Sequence, residues 1–309
     1  MLRKLITMAF GFDTRRIDVL IQLAIQEDIF TGDITTEALI PGDLDASGEF
    51  VAKEEGIVAG LPVIEYFFSR LDKTVSLKQR VKDGDFVNKG DAIASVHGKA
   101  KVLLSGERIA LNFLQRLSGI ATMTARFVSQ IKPLNTSIMD TRKTIPGWRF
   151  LEKYAVSVGG GVNHRMGLYD QALVKDNHLD VLKRIYSPQT SPSAGAIENA
   201  VSTLRQKITK GVLIEVEART LEEVMDALRG GADIILFDNM DVAQLRDAVA
   251  LAQDWKGGRR PLTEASGNIT LENVRAVAQT GVDRISVGAI THSAKALDIS
   301  LEMFLAKNV

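Results

Sequence analysis

Apolar residues recur at helical spacing in RRIDVLIQLAIQEDI, which puts Ile17, Leu20, Leu23 and Ala24 on one face of a predicted helix. TGDITT ends that helix. From Ser47 to Gly98 the texture becomes strand-like. Short apolar runs (GEFVAKEEGIVAG, TVSLKQRV, DGDFVNKGDAIASVHG) alternate with turns, and Asp83-Gly84 and Lys89-Gly90 are hairpin or turn signals. This half reads as a small hammerhead-like β layer with no evident chemistry of its own.

GERIALNFLQRLSGIATMTARFVSQI then predicts a long amphipathic helix. Ala110, Phe113, Leu114 and Leu117 form its apolar stripe. Arg108, Asn112 and Gln115 share the opposite face, because they are spaced by four and then three residues.

From residue 137 apolar runs alternate with helical patterns. SIMDT, QALVKDN, VLIEVEA, ADIILFDN, PLTEASGN and DRISVGA are strand candidates. IENAVSTLRQKI, TLEEVMDALRGG, DVAQLRDAVALAQDW and TLENVRAVAQTG are the helices between them. Thr220 and Thr270 stand where helix N-caps are expected. SPQTSPSAGA, residues 187 to 196, reads as a linker. Such βαβα repetition fits an α/β barrel or a doubly wound sheet. Nearly every strand candidate ends in polar residues: Asp140 to Lys143, Lys175-Asp176, Glu217, Asp238, Ser266-Gly267 and Gly288. An open sheet concentrates ligands at one crevice, whereas a barrel brings all its strand ends to one face, so six such ends favour the barrel.

Composition narrows the function classes. A chain of 309 residues, 45% hydrophobic, can bury a large core, and two domains are the natural division. Lys plus Arg and Asp plus Glu both number 38, so the formal charge is zero, which argues against a nucleic-acid partner. Any cation cluster is then local and suits a small anion. There is no cysteine, which excludes disulfides, thiol catalysis and cysteine–metal sites and points to the cytoplasm. No apolar run is long enough to span a bilayer. The start, MLRKLITMAFGFDTRR, lacks a clear small-residue cleavage site and reads as an N-terminal extension rather than a signal peptide.

Candidate chemistry gathers at the strand ends. In MDTRKTIPGWR three cations, Arg142, Lys143 and Arg149, crowd one acid, Asp140. Arg142, Lys143, Arg165 and Lys175 fall in or directly after candidate strand ends. Surface salt bridging explains any one of them. Four facing one cavity would repel each other unless a polyanion sat there. Glu217 and Asp238 end adjacent strands, where Mg2+ can sit between oxygen ligands. EASGNIT and SVGAITH end the last two strands, each placing a small residue and Gly before or at a helix start, where backbone N–H groups can cradle a phosphate. Of the four histidines, His164, His178 and His292 lie in barrel-mouth loops and His97 does not, and none has zinc-ligand spacing. The residues together imply a polycarboxylate meeting a phosphorylated sugar or similar compound.

DTRKTIPGWRFLEKYAVSVGGGVNHR, VKDNH, EVEARTLEE, ILFDNM, EASGNI and DRISVGAITHSAKALDISLEM resemble the quinolinate phosphoribosyltransferase family, also called nicotinate-nucleotide pyrophosphorylase (carboxylating). ERIALNFLQRLSGIAT and EDIFTGDITT extend the resemblance to nearly the whole chain from about residue 15. It implies an incomplete α/β barrel with an N-terminal α+β hammerhead-like domain, divided as residues 1–121, 122–292 and a tail, 293–309, that returns to the N-terminal domain. The implied reaction makes nicotinate mononucleotide from quinolinate and phosphoribosyl pyrophosphate (PRPP), releases pyrophosphate and CO2, and needs Mg2+. The implied assembly is a homodimer with shared active sites that can build further, to a hexamer. By motif match, Arg142, Lys143, His164, Arg165, Lys175 and the partner protomer's copy of Arg108 line the quinolinate pocket. Glu217 and Asp238 serve Mg2+ and the ribose, and Ser266, Gly267, Gly288 and His292 serve phosphate. Thr141 and Asn268, inside the matched stretches, join the substrate-binding set, and Lys143, Lys175, Glu217 and Asp238 are the catalytic expectation. Trp148, Phe150, Phe30 and Tyr169 depart from the usual residues, and none of them is a charged site residue.

Two other enzymes fit parts of this pattern. One is a related phosphoribosyltransferase with another acceptor; the other is a Schiff-base aldolase with Lys175 as nucleophile. A non-catalytic binding barrel is the third reading, and the retained Arg142, Glu217 and Asp238 argue against it.

Overall fold

The computed structural model describes residues 13–186 and 195–305. The first twelve residues of the expected N-terminal extension, and all but the last two of the expected 187–196 linker, lie outside the described residues. The chain begins with α1 (Asp18–Asp28), α2 (Ile34–Leu39), β1 (Asp45–Ala52), β2 (Gly56–Ile57), α3 (Leu61–Leu71), β3 (Ser76–Gln79), β4 (Phe86–Val87), β5 (Ala92–Lys99) and α4 (Ala100–Gln130). Next come β6 (Ser137–Met139), α5 (Arg149–Val158), β7 (Ala172–Val174), α6 (Asp176–Tyr186), α7 (Ala196–Lys207), β8 (Ile214–Ala218) and α8 (Leu221–Gly230). It ends with β9 (Ile234–Asp238), α9 (Val242–Asp254), β10 (Leu262–Ser266), α10 (Val274–Ala278), β11 (Arg284–Ser286), α11 (Ala289–His292) and β12 (Ile299–Leu305).

These elements form two compact units. The described residues within Met1–Arg126, Lys143–Val162 and Ile290–Val309 make the first, and those within Phe127–Arg142 and Asn163–Ala289 the second. The contiguous division expected from sequence, 1–121, 122–292 and 293–309, differs from this. Segment Lys143–Val162, with α5, belongs to the first unit although β6 and β7 on either side of it belong to the second. Its helix buries Leu151, Ala155 and Val156, a pattern that does not announce which core it joins.

The first unit is built on an antiparallel sheet in the order β12-β1-β5-β3. On β1 every second residue is buried, Ala46, Gly48, Phe50 and Ala52, which is the period of a half-buried strand. The C-terminal strand pairs along β1, Phe50 opposite Leu301. The stretch read as strand-like also holds a helix, α3. Its Val63, Ile64, Phe67 and Phe68 are buried at helical spacing, and Pro62 sits in its first turn. Asp83 closes its start by accepting the N–H groups of Gly60 and Leu61 at 2.7 and 3.0 Å. Helix α1 buries Ile21, and Ile17 just before it is buried too, while Leu23 is 55% exposed. The expected stripe is corrected at Leu23, which faces solvent, while Leu20 and Ala24 are half-buried. The apolar stripe on α4 is as read, with Ala110, Phe113, Leu114 and Leu117 all buried; on the polar face Arg108 and Asn112 are exposed, but Gln115 is half-buried and donates Nε2 to the Ile299 carbonyl at 2.7 Å.

The second unit is a six-stranded parallel sheet in the order β6-β11-β10-β9-β8-β7. It is the incomplete barrel, and β6 and β7 are the ends of its strand order. All six strand candidates formed. Helices α8 and α9 bury one stripe each, Val224, Ala227 and Leu228 on one, Leu245, Ala248, Val249 and Ala252 on the other. Thr220 caps α8, accepting the Glu223 N–H at 3.2 Å. Thr270 opens the turn that leads into α10, its carbonyl accepting the Val274 N–H at 3.0 Å, rather than standing directly at the helix start. α10 starts four residues later, and Thr270 also donates its N–H to Asn273 Oδ1.

Candidate active site

Strand register decides which side chains share the inner face of the second unit. In β8 and β9, Glu217 pairs with Leu236, so Asp238 lies one same-face step further along the neighbouring strand. Asp238 is level with Ser266 on β10, which is level with Ser286 on β11. Val174 is level with Val216, which brings Lys175, the next residue, alongside Glu217. Lys175 Nζ lies 3.5 Å from Glu217 Oε2. Oε2 is buried, and among the described residues it makes no hydrogen bond of normal length.

Asp238 is held on both oxygens. Arg219 Nε donates to Oδ2 at 3.2 Å and Asn239 Nδ2 to Oδ1 at 3.0 Å. Arg219 also reaches Asp176 Oδ2 at 2.6 Å, so one guanidinium bridges the ends of β7 and β9. Asn239 and Asn268 both adopt the left-handed region, φ 56° and 50°, and Asn268 Nδ2 donates to Asn239 Oδ1 at 3.1 Å. Between them Gly267 has φ 99°, and a Cβ there would stand 2.1 Å from Asn239 Oδ1. Only glycine fits. The expected helix start after β10 is therefore corrected to a left-handed turn. At the end of β11 the expectation is closer, since α11 begins directly after Gly288, though it is only Ala289–His292.

His164 and Arg165 follow a single-residue bridge at Val162 rather than a full strand, so Arg165 is not at a strand end as read from sequence. Asp140 is buried and accepts the His164 N–H at 2.8 Å and Asn163 Nδ2 at 2.7 Å. This fastens the segment to the residue that follows β6. The His164 ring turns inward, its Nε2 3.1 Å from Glu215 and 3.4 Å from Glu264, both fully buried. Burial works to lower the ring's pKa; the bonds to Glu215 and Glu264, with their charges, outweigh it and raise the pKa. Nδ1 accepts the Arg165 N–H at 2.7 Å. A proton on Nδ1 would meet that N–H head-on, so this contact works against the charged ring that the two acids favour, and Nε2 carries the proton that faces them. Glu264 further accepts from Ser286 and lies 3.7 Å from the buried Arg284. Burial would raise the Glu264 carboxyl, but the bonds from His164 and Ser286 and the Arg284 charge hold it low. The ligand atoms of His164, Glu215 and Glu264 lie within 4.8 Å of one another, and the imidazole N–H between the two acids does there what a cation would do.

Arg165 is itself buried, and its NH1 donates to the Gln171 carbonyl at 3.0 Å. Burial, then the like charge of Arg142, draws its guanidinium down from the ordinary range. The charges of Glu215 and Asp170 work against this. Thr141, Arg142 and Gly288 are half-buried at their strand ends. Arg108, Lys143 and His292 belong to the first unit, and all three are exposed.

Sequence reasoning missed Glu215, Glu264, Gln171, Arg219 and Asn239. The two acids had a signal. In the strand VLIEVEA the alternation puts Glu215 on the same face as Glu217, and in PLTEASGN it puts Glu264 with Ser266.

A parallel, incompletely closed α/β barrel whose strand ends carry paired cations, paired acids and a left-handed glycine turn defines a class: barrel proteins that bind anionic ligands at one face. The chain belongs to the quinolinate phosphoribosyl transferase family. The family's N-terminal domain model matches residues 33–118 and its C-terminal domain model residues 120–302. The chain is 46% identical to the probable nicotinate-nucleotide pyrophosphorylase [carboxylating] of Bacillus subtilis, over 91% of each chain. It is 42% identical to the chloroplastic nicotinate-nucleotide pyrophosphorylase [carboxylating] of Arabidopsis thaliana, over 94% of this chain and 83% of that one. Among solved structures, NadC from Streptococcus pyogenes superposes with a TM-score of 0.88 at 35% identity, covering 97% of this chain and all of that one. The nicotinate-nucleotide pyrophosphorylase of Francisella tularensis gives 0.85 at 36% identity, covering 95% and 98%.

Proposed function

We propose that this chain transfers the phosphoribosyl group of PRPP to quinolinate and decarboxylates the adduct, giving nicotinate mononucleotide, pyrophosphate and CO2 in NAD biosynthesis. Its membership of the family supports the reaction. The observation that carries the site is the strand-end row of Lys175, Glu217 and Asp238, with Lys175 Nζ 3.5 Å from Glu217, in the same unit as the buried Arg165.

Quinolinate carries two adjacent carboxylates, and Arg142 and Arg165 each take one. Lys175, His164, Lys143 and Thr141 complete the pocket, with Arg108 of a second protomer. The ring nitrogen attacks the anomeric carbon of PRPP through an oxocarbenium-like transition state. Glu217 and Asp238 oppose the developing positive charge on the ribosyl group, and Lys143 faces the departing pyrophosphate. Ser266, Gly267, Asn268, Gly288 and His292 hold the phosphate. The 2-carboxylate then leaves as CO2, because the pyridinium ring accepts its electron pair, and the residues around it need only orient and desolvate it.

Mg2+ fits the acids. Glu217 and Asp238 are hard oxygen donors on adjacent strands, and Glu217 keeps a buried oxygen without a hydrogen bond of normal length. When bound, the ion supplies charge against the leaving pyrophosphate. We take the working assembly to be a homodimer with shared sites, able to grow to a hexamer, and its place of work to be the cytoplasm, which suits a chain without cysteine. No helix among the described residues is long and apolar enough to cross a membrane. The test is direct: protein, Mg2+, quinolinate and PRPP are mixed, and nicotinate mononucleotide is sought. Product from nicotinate instead of quinolinate would overturn the reading.

A further inference from the structure

Glu215 is buried on the inner face of β8, and the reaction above makes no use of it. Two partners converge on its carboxylate: His164 Nε2, 3.4 Å from Oε1 and 3.1 Å from Oε2, and Gln171 Nε2, which donates to Oε2 at 2.5 Å. Each of those partners holds a different end of Arg165. His164 Nδ1 accepts the Arg165 backbone N–H at 2.7 Å, and the Gln171 carbonyl accepts its guanidinium NH1 at 3.0 Å. The network closes into a ring: one carboxylate, two partners, and one arginine gripped at its backbone and at its tip.

The chemistry explains why an acid is needed at that point. Arg165 is buried, and burial and the repulsion of Arg142 both disfavour its charge there, while Glu215 and Asp170 favour it. A long side chain under that repulsion keeps one rotamer only if its supports are rigid. Glu215 supplies that rigidity because a carboxylate is acceptor-only, so both N–H groups meet lone pairs whichever way the group turns, whereas an amide of the same size turns an N–H toward one of them. Asp140 anchors the same segment from the other side through the His164 N–H.

We propose that Glu215 is a positioning residue for Arg165, acting through His164 and Gln171, and thereby sets the affinity for the dicarboxylate substrate without touching it. This rests on the reading that Arg165 binds quinolinate.

Three variants separate the possibilities: Glu215→Gln, Gln171→Ala and, as control, Arg165→Ala. Steady-state constants are measured for quinolinate and for PRPP, with the melting temperature of each protein. A glutamine at 215 turns one acceptor into a donor facing a donor, and the KM for quinolinate rises about tenfold or more, in the range of lost supporting hydrogen bonds, while that for PRPP stays near wild type. Gln171→Ala removes one arm of the ring at a half-buried position, so the protein folds; it moves the quinolinate KM in the same direction by a smaller factor. A purely structural role would lower kcat through the folded fraction and leave both KM values alone. If Arg165→Ala raises the quinolinate KM but Gln171→Ala does not, the positioning role is refuted and the site reading stands. If Arg165→Ala itself leaves that KM unchanged, both fall.

Discussion

Lys175 Nζ stands 3.5 Å from Glu217 Oε2, across the neighbouring strands β7 and β8. Glu217 is largely buried. Burial raises its carboxyl most, Lys175 opposes this, and Asp238 and Asp176 add to it. Acids that raise one another are relieved by a second cation beside Lys175, so Asp238→Asn should depress turnover and raise the Mg2+ requirement about tenfold or more. Initial rates across a Mg2+ series check this. Unchanged rate and unchanged Mg2+ dependence would remove Asp238 from the site.

Arg165 carries the dicarboxylate prediction. Arg165→Ala should weaken quinolinate binding by about 2–5 kcal/mol, as for truncating one partner of a buried charge pair. PRPP binding should change far less. Isothermal titration with each ligand separately decides it, and equal losses for both would sink the assignment.

The sequence was legible where one period dominates. The six strand candidates and the α4 stripe followed from alternation and 3.6-residue spacing alone. Polar strand ends named Lys175, Glu217, Asp238 and Ser266, because position on a strand fixes position at the mouth. Legibility failed where long-range contact decides. Nothing local shows that Arg165 reaches its place through His164 and a carboxylate some fifty residues later, Glu215. Nor does local pattern show that α5 joins the first unit, or that Asp83 caps α3 across more than twenty residues. Helix α3 was hidden by its own richness in Phe, Val and Ile, residues that suit strands as well.

Asp33 links the fold to pH. It caps α2, accepting the Thr36 N–H at 3.0 Å and the Thr36 hydroxyl at 2.5 Å, with Ser105 at 3.2 Å. The Thr36 hydroxyl, then its N–H, holds the Asp33 carboxyl below its usual value. A depressed acid contributes stability above its unfolded pKa, about 3.9, and loses it as pH falls through the folded value. Asp33→Ala should therefore melt below wild type near neutral pH, and the gap should narrow as the solution passes below about pH 4. Thermal melts of both proteins across that range test it, and a gap that widens in acid would contradict it.

The ion pair of Arg116 and Glu152 is a structural matter. Glu152 is fully buried, 2.9 Å from Arg116 NH2, and Arg116 also donates to the carbonyls of Ala294 and Thr291. Removing the acid strands a guanidinium in a desolvated place. Glu152→Ala should cost about 3–5 kcal/mol, read from urea unfolding midpoints. A loss near that of an exposed pair would show that water reaches Arg116.

Arg108 gives the sharpest test of assembly. It is exposed on α4, one turn from Asn112 on the polar face, while Ala110, Phe113, Leu114 and Leu117 are buried on the other. An exposed arginine on such a helix is ordinarily only solvated. If it instead completes the quinolinate pocket of a second protomer, a two-fold dimer holds two identical shared sites. Arg108→Ala and Glu217→Ala should each be nearly inactive alone. Unfolded and refolded together, they form mixed dimers in which one site carries both changes and the other carries neither. Random pairing then makes about a quarter of all sites wild-type, by the counting of a two-fold dimer. Activity near that fraction supports the shared site. If each site is built within one chain, every site keeps one defect and mixing restores nothing. No recovered activity, with mixed dimers demonstrated by differential tags, would mean that Arg108 acts within its own chain or stands apart from the reaction.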